Sequence, residues 1–456
     1  MRKEMFNHEI NILRDTYRRL LRRQAKTNLI KLNKKTHPAD LATVFRYFTD
    51  EEQIEIFSLM NETEHTAEFL SELDDALVND LLSKETLERI AAIIERAPTN
   101  DQSDILNALD QEKAQAVLEL LEVEEQEEIA EIMGYPEDSA GTLMNTEFFT
   151  LHEEITAGDA IKTLQDQEDA EMVFYLYITD DDDRLVGVIS LRALTTTPSK
   201  TTLKDIMIKN VHSVRPETDQ EEVARIVAQY NFLAVPVIDP DSHLLGIVTV
   251  DDVVDVIREE ATEDFLQMAG AGKDREILLK SSWENAKTRL PWLFASWIGG
   301  IIAASLIGIF ENMLENIIAL AAFIPVILGM GGNIATQSST IIVRGMATGR
   351  VNFGGEIKLI IKEMKVGLML GILYGILLGI FANLSFSDAP DSLGIVVGLS
   401  ICVSMIVAAT VGTVIPLILR KLDIDPAVAT GPFVTTSIDI LGVLFYFLIA
   451  GLFLSI

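Results

Sequence analysis

One acidic residue, Asp439, lies inside a stretch of the chain that is otherwise uncharged from residue 426 to residue 456. On a helix, Thr435 precedes Asp439 by one turn, and Gly431 and Pro432 lie about one turn earlier. A charged side chain at membrane depth costs roughly 3 kcal/mol, so it is normally kept where it faces a bundle interior or a wet pathway. Pro432 inside a helix would also free a backbone carbonyl. This spacing predicts an oxygen-lined cation path; the alternative is that Asp439 is protonated or caps a neighbouring helix.

A second polar stretch lies inside an apolar region and reads PVILGMGGNIATQSST from Pro325 to Thr340. Asn333 and Gln337 are one helical turn apart, so their side chains share one face of a helix. Such a stripe could hydrogen-bond water in a conduction path, or it could hold two membrane helices together. The sequence leaves both interpretations open.

Acidic residues are dense between Asp251 and Asp264, just before the first long apolar run. The spacing of Asp252, Asp255 and Glu259 places several carboxylates on one face of a helix. We expect this helix to continue to about Ser282. Like charges this close repel, and a divalent cation would relieve the repulsion. The alternative is an ordinary solvated acidic face.

Charge divides the chain into two parts. The whole chain has 456 residues and a net charge of −32, but residues 281–456 contain nine Lys or Arg and ten Asp or Glu. The acidic excess therefore belongs to residues 1–280, which repel nucleic acid and attract cations. The lone cysteine, Cys402, excludes a disulfide framework, and the six histidines all precede residue 244. Hard cations that prefer oxygen ligands remain as partners for the apolar part.

The elements that must position these residues fall into three groups. Apolar residues at three- and four-residue spacing predict helices from about Arg2 to Glu131, arranged as a solenoid in preference to a bundle. The segment Leu185–Ser190 (LVGVIS) then recurs 59 residues later as Leu244–Thr249 (LLGIVT). Each copy follows an apolar strand with an acidic turn, so a duplicated α/β unit results. It resembles a tandem CBS-domain pair, which the end of the second copy, from Gly246 to Asp252, matches well.

Five apolar runs follow, each long enough to cross a membrane. They are Pro291–Phe310, Ile317–Val343, Val366–Leu384, Leu393–Leu419 and Ala427–Ile456. Acidic connections alternate with basic ones, and the stretch from Arg344 to Lys365 belongs to the basic set. By the positive-inside rule the N-terminus is cytoplasmic and the C-terminus lies outside. The charged N-terminus does not resemble a signal peptide, so we expect a multi-pass protein of the plasma membrane.

With these motifs in hand, the chain resembles the MgtE-type magnesium channel/transporter family over its whole length. The motifs that carry the resemblance are the stretch from Pro325 to Ser338 and the stretch from Pro432 to Gly442. The resemblance implies a multidomain fold. Its parts are an acidic all-α N-domain (1–135), an α/β tandem CBS pair (136–255), a connecting plug-like helix (256–285) and a five-helix α transmembrane domain (286–456).

The family resemblance implies a homodimer whose second and fifth spans line a central pore. Asp439, Thr435 and Gly431 would then contact a hydrated Mg2+. The other residues that match the pore motifs are Pro325, Asn333, Gln337, Pro432 and Thr436. Mg2+ gives up its water reluctantly, so two symmetry-related carboxylates suit the hydrated ion.

The resemblance also implies regulatory Mg2+ sites in the acidic part. The matching positions are Asp101, Asp104, Asp219, Glu221, Asp252, Asp255, Glu260, Glu263, Asp264 and Asp425. Bridging of these carboxylates by cytoplasmic Mg2+ would hold the gate shut. A CBS pair also suggests ATP as a second ligand, with no residues assigned to it.

The resemblance therefore implies a magnesium-selective channel/transporter that admits Mg2+ down its electrochemical gradient, with membrane lipid and divalent cations as partners and no nucleic acid. One alternative is a divalent metal transporter coupled to H+ or Na+, although a proton relay usually needs more than one intramembrane ionisable group and the sequence predicts one, Asp439. A membrane-anchored metal or nucleotide sensor is the other. The sequence contains no nucleophile motif and no phosphate-binding loop, so it does not predict an enzyme.

Overall fold

The structure is a computed structural model that describes residues 2–166, 174–272, 281–351, 355–386, 389–422 and 424–454, without the side chains of residues 2–7 and 429. It divides into two compact units, Met1–Val256 and Ile257–Ile456. The helices of the first unit before the sheets are α1 (Arg2–Arg22), α2 (Lys26–Asn33), α3 (Pro38–Phe45), α4 (Asp50–Ser58), α5 (Thr63–Ser71), α6 (Asp75–Leu82), α7 (Leu87–Ile94), α8 (Thr99–Asn107), α9 (Gln111–Leu118), α10 (Val123–Ile132) and α11 (Ala140–Leu143).

These short helices are capped locally and packed in alternation. Thr49 caps α4 and Thr86 caps α7, each by accepting a hydrogen bond from a backbone N–H in the first turn. Helix α3 packs on α5, α5 on α7 and α7 on α9. Each helix thus contacts the next but one, as stacked repeats do. Their apolar faces form one continuous core that includes the buried Phe45, Ile56 and Leu82.

The duplicated unit follows, with β1 (Thr150–His152), α12 (Ala157–Asp166), β2 (Tyr175–Thr179), β3 (Leu185–Ser190), α13 (Leu191–Thr196), α14 (Leu203–Ile206), α15 (Gln220–Tyr230), β4 (Ala234–Ile238) and β5 (Leu244–Thr249). Strand β1 pairs in parallel with β2, while β2–β3 and β4–β5 are antiparallel. The two hairpins are offset by 59 residues, and each has its register shift before the last residue of its first strand. The predicted duplication is therefore confirmed.

Hydrogen bonds between a side chain and the backbone mark the start of the helix after each hairpin. Ser190 accepts a hydrogen bond from Ala193 N at 3.2 Å. In the second copy Thr249 N donates to Asp252 at 3.3 Å, which closes the start of α16 (Val250–Met268). Helix α16 ends at Met268, whereas the sequence predicted a helix to about Ser282. Gly270 and Gly272, with φ of +70° and +95°, turn the chain there; residues 273–280 of the predicted helix lie outside the described residues.

Five helices of the second unit are long and apolar enough to cross a membrane. They are α17 (Ser282–Ile309), α19 (Ala319–Ala347), α20 (Glu356–Ser385), α21 (Leu393–Lys421) and α22 (Pro432–Phe453), with the short α18 (Glu311–Asn316) between the first two. Helix α19 packs against α21 and α22, and α17 packs against α22. The predicted architecture of a helical N-terminal part, a duplicated α/β unit and five apolar helices is confirmed.

Glycines bring α20 and α21 into backbone contact. A Cβ atom added to Gly375 would lie 2.5 Å from Gly398 O, and one added to Gly379 would lie 2.6 Å from Gly394 O. Real Cβ atoms do not approach this closely, so only glycine fits at these positions. Close approach through small residues is a common way to pack helices in a membrane.

Candidate functional site

Asp439 lies in the second turn of α22 and is half-buried. Its carboxylate forms no hydrogen bond or ion pair with any described residue of the chain. Thr435 lies one turn earlier and donates its hydroxyl to Gly431 O and Pro432 O, both at 3.3 Å. An unpaired carboxylate in an apolar helix therefore stands next to a threonine that is tied to the helix start.

Pro432 is the first residue of α22, and the short 3-10 turn Pro426–Ala429 precedes it. The sequence placed Pro432 inside a helix that began at Ala427, where it would free a carbonyl, and that prediction is wrong. At the first helical position proline removes no intrahelical bond. The Gly431 carbonyl accepts from Thr435 N and Oγ1, at 3.4 and 3.3 Å, so it is not freed from the helix.

Thr436 packs against the first apolar helix. A Cβ atom added to Gly299 of α17 would overlap the methyl group of Thr436. This contact occupies the methyl side of Thr436, and its role as a pore-lining residue stays a prediction.

The polar stripe on α19 is exposed on the single chain. Pro325, Gly329, Asn333 and Gln337 follow one another at intervals of four, and all four are exposed. Neither Asn333 nor Gln337 hydrogen-bonds to any residue that the structure describes. Pro325 does not interrupt the helix. Amide groups facing hydrocarbon would be left without partners, so this face requires water or another polar surface.

Helix α20 holds a buried carboxylate that the sequence interpretation missed and that contacts α19. Glu363 of α20 is 6% exposed and accepts a hydrogen bond from Ser338 at 2.9 Å. The adjacent Ser339 contacts Thr430, which lies just before α22, with 3.0 Å between the hydroxyl oxygens. The sequence had assigned Glu363 to a basic connection and had expected one intramembrane acid; the structure places it in the second turn of a helix that begins at Glu356. Its proximity to the apolar run was the available signal.

Two predicted regulatory acids, Asp101 of α8 and Asp252 of α16, come together within the first unit. Burial, followed by the charge of Asp252, raises the pKa of Asp101 to about 7, although a hydrogen bond with Ser71 opposes the shift. Burial raises the pKa of Asp252 to about 6, and Asn100 donates to its carboxylate at 3.2 Å. A pair of carboxylates with raised pKa values favours protons or a divalent cation nearby.

A second pair, Asp264 and Asp425, forms within the second unit. Burial first, and then the charge of Asp425, raises the pKa of Asp264 to about 6, while Arg344 acts in the opposite direction. Asp425 also accepts a hydrogen bond from Ala427 N at 2.8 Å and so caps the turn before α22. These two acids therefore lie near the start of the helix that carries Asp439.

The remaining predicted acids are exposed or half-buried. Asp219 accepts from Glu221 N at 2.8 Å and caps α15, a structural task that needs no metal. Asp104, Asp255 and Glu221 are exposed, whereas Glu260 and Glu263 are half-buried. Among the described residues no three His, Cys, Asp or Glu side chains are grouped as metal ligands. Mg2+ keeps most of its water and binds through one or two carboxylates, so the pairs above remain candidates.

Five apolar helices, with an unpaired acid in the last of them, define a multi-pass membrane protein of the ion-transporting class. Comparison with known families agrees. The MgtE model, described as a divalent cation transporter, matches residues 324–449. The MgtE intracellular N domain matches residues 36–138, and CBS domains match 140–198 and 203–259. The chain belongs to the MgtE family, which is a family of transporters and not of enzymes.

Curated relatives carry the same assignment. The chain is 34% identical to "Magnesium transporter MgtE" of Bacillus subtilis over 91% of this chain and 92% of the relative. It is 35% identical to the protein of the same name from Thermus thermophilus, over 92% and 93%. The predicted family is thus confirmed, and the chain spans nearly the full length of these relatives.

Two solved structures each resemble about half of the chain. "Crystal structure of the soluble part of a magnesium transporter" has 32% identity and a TM-score of 0.51, and covers 55% of this chain and 99% of that one. "Crystal structure of the cytosolic domain of the Mg2+ channel MgtE in complex with ATP" has 33% identity and a TM-score of 0.51, with coverage of 53% and 99%.

Proposed function

We propose that the protein is a homodimeric channel that admits Mg2+ to the cytoplasm, with its N-terminus inside and its C-terminus outside the plasma membrane. The observation that carries this proposal is Asp439, which is half-buried in α22 and has no partner among the described residues. An ionised carboxylate in that setting would be stabilised by a counter-charge from outside its own chain. A hydrated divalent cation, held between two copies of Asp439, supplies it.

The exposed polar stripe on α19 supports the proposal that the chain forms a homodimer. Asn333 and Gln337 cannot face hydrocarbon without losing hydrogen bonds. A two-fold axis beside α19 would bring two such stripes together and would enclose water between them. Thr435 and Gly431, with Pro432 and Thr436, would complete the path on α22, and Pro325 would lie on the same face of α19 as Asn333.

The membrane potential is sufficient to drive entry. A negative interior contributes about 2.3 kcal/mol per charge per 100 mV, and therefore twice that for Mg2+. The path needs to replace only part of the ion's interaction with bulk water, because Mg2+ keeps its inner hydration shell.

The acidic pairs support feedback by cytoplasmic Mg2+. Without cations, the two carboxylates of each pair repel each other, which favours a larger distance between them. The pairs are Asp101 with Asp252 and Asp264 with Asp425. Bound Mg2+ would bridge each pair and stabilise the closed arrangement. The acids Asp104, Asp219, Glu221, Asp255, Glu260 and Glu263 remain further predicted ligands.

ATP is proposed as a ligand of the CBS pair, as its presence in the solved relative suggests. In the second copy the rings of His212 and Tyr230 stack at 4.4 Å, and Phe232 lies 5.4 Å from Tyr230. Stacked aromatic rings at a surface offer a flat face to an adenine base. Isothermal titration of the full chain with ATP, compared with Tyr230→Ala, tests this assignment; equal affinity would remove it.

One observation favours a coupled transporter as the second candidate. Glu363 of α20 is buried, so an acid other than the half-buried Asp439 lies inside the apolar helices. Proton relays use such groups. Coupling to H+ would require both acids to change their protonation during transport.

Flux into liposomes separates these functions. We expect Mg2+ entry into vesicles containing the full chain to follow an imposed potential and to stop in Asp439→Asn. Entry that follows a proton gradient at zero potential would favour the transporter. Unchanged entry in Asp439→Asn would contradict both, and no entry in the wild type would favour a sensor.

A further inference from the structure

The first two helices are basic in an otherwise acidic protein. Residues 1–35 contain eleven Lys or Arg and three Asp or Glu, although the whole chain has a net charge of −32. This segment precedes the matched N domain, which begins at residue 36. Its charge therefore belongs to neither the cation path nor the acidic pairs, and it calls for a partner of opposite sign.

Four arginines converge on one open cleft of about 360 Å3. The cleft is lined by Asp15, Arg18, Arg19, Arg22 and Arg23. These positions follow the i, i+3, i+4, i+7, i+8 pattern, so the first four occupy one face of α1, and Arg23 follows the last residue of the helix. We call Arg18, Arg19, Arg22 and Arg23 the arginine face.

The arginine face is mostly uncompensated. Arg14 pairs with Asp15 at 3.0 Å, which uses the only acid of the cleft. Arg18 donates to Tyr47 O at 2.7 Å and keeps its positive charge. Arg19, Arg22 and Arg23 are exposed and pair with no described residue. Arginines one turn apart repel each other, and a bound anion would remove that repulsion.

The helix is held firmly on its other side. Tyr17 is fully buried and donates its hydroxyl to Asn33 Oδ1 at 3.0 Å, and Leu21 is buried beside it. The arginine side chains therefore extend from a helix that is packed in place, and replacing the exposed arginines by glutamine leaves that packing intact. A helix that is already ordered lowers the entropy cost of binding a ligand.

We propose that the arginine face binds a phosphate-bearing anion. The guanidinium group offers a planar pair of donors that matches phosphate oxygens, and four such groups around one cleft suit an anion with several charges. A free oligophosphate and the headgroup of an anionic lipid share this chemistry. The proposal is independent of Mg2+ conduction, so either can fail alone.

Isothermal titration tests the proposal on the full chain in neutral detergent, with sodium tripolyphosphate as the probe in Mg2+-free buffer. The test variant is Arg19→Gln/Arg22→Gln/Arg23→Gln. The matched control is Lys26→Gln/Lys31→Gln/Lys35→Gln, which removes the same charge from exposed positions nearby. We expect the arginine variant to bind at least about tenfold more weakly than the wild type, because charge-assisted hydrogen bonds are lost. The lysine variant should stay within about threefold.

A second arm identifies the source of the phosphate. Protein held in neutral nanodiscs is mixed with vesicles of phosphatidylcholine containing phosphatidylglycerol, and co-flotation is measured for the same variants. Arginine-dependent flotation without tripolyphosphate binding assigns a lipid headgroup, and the reverse assigns a free phosphate compound. Equal losses in both triple variants, or no binding of either probe, would overturn the proposal.

Discussion

Replacing Asp101 by Asn should remove a pH-dependent destabilisation of α8. The pKa of Asp101 is raised from 3.8 to about 7, first by burial and then by the charge of Asp252. The folded protein therefore holds this proton more tightly than the unfolded chain does. Its contribution to stability is present in full below pH 4 and is lost as the pH rises through about 7.

The size of the effect follows from the shift. A change from 3.8 to about 7 corresponds to at most about 4 kcal/mol, and roughly 1–3 kcal/mol is expected because Asp101 and Asp252 titrate as a coupled pair. Asp101→Asn is neutral throughout, so without Mg2+ it should be more stable than the wild type at pH 8 by that amount. Near pH 4 the two proteins should be alike.

Hydrogen–deuterium exchange at the amides of α8 measures this local stability in the full chain, after correction for the intrinsic pH dependence of exchange. Asp110→Asn, at an exposed position near the end of α8, is the matched control and should follow the wild type. Excess Mg2+ at pH 8 should stabilise α8 more in the wild type than in Asp101→Asn. Parallel pH profiles for wild type and Asp101→Asn would refute the reasoning.

Three further predictions concern the apolar helices. Asp439→Ala should reduce voltage-driven Mg2+ flux into liposomes to background without lowering the melting temperature; residual flux above one tenth would contradict the assigned path. Glu363→Gln keeps a polar partner for Ser338 and should retain flux within about threefold, whereas Glu363→Ala should lower stability by roughly 1–3 kcal/mol in detergent melts; loss of flux in the Gln variant would instead favour proton coupling. Gly299→Ala should lower the melting temperature through about 1–3 kcal/mol of overpacking against α22, while Gly300→Ala, where an added Cβ meets no atom within 4 Å, should not; equal melting of the two variants would exclude the close contact.

Local signals were enough for most of the architecture. The repeat of Leu185–Ser190 at Leu244–Thr249 predicted the duplicated hairpin, because sequence alternation and turn residues act over a few positions. The end of α16 at Met268 was missed, although Gly270 and Gly272 were visible in the sequence as helix-ending residues. Pro432 was placed inside α22 because an apolar run does not by itself locate a helix start.

The candidate site depended more on contacts distant in the chain. Asp101 and Asp252 are 151 positions apart, and no periodicity relates them. Glu363 was hidden among the lysines beside it, because average charge marked the segment as a connection. The basic start of the chain was hidden in the same way, since the excess of acids over residues 1–280 outweighed it.

The glycine contacts between α20 and α21 set a limit on how this protein can open and close. A slide of either helix by one residue, or a turn about its own axis, would drive larger side chains into the carbonyl oxygens of Gly394 and Gly398. The two helices must therefore move together as one rigid unit. A Cβ atom added to Gly412 of α21 would likewise lie 2.4 Å from Ala335 O of α19, so α19 is held to the same pair. Any change in the width of a passage beside Asp439 has to come from motion of α17 or α22 against these three helices.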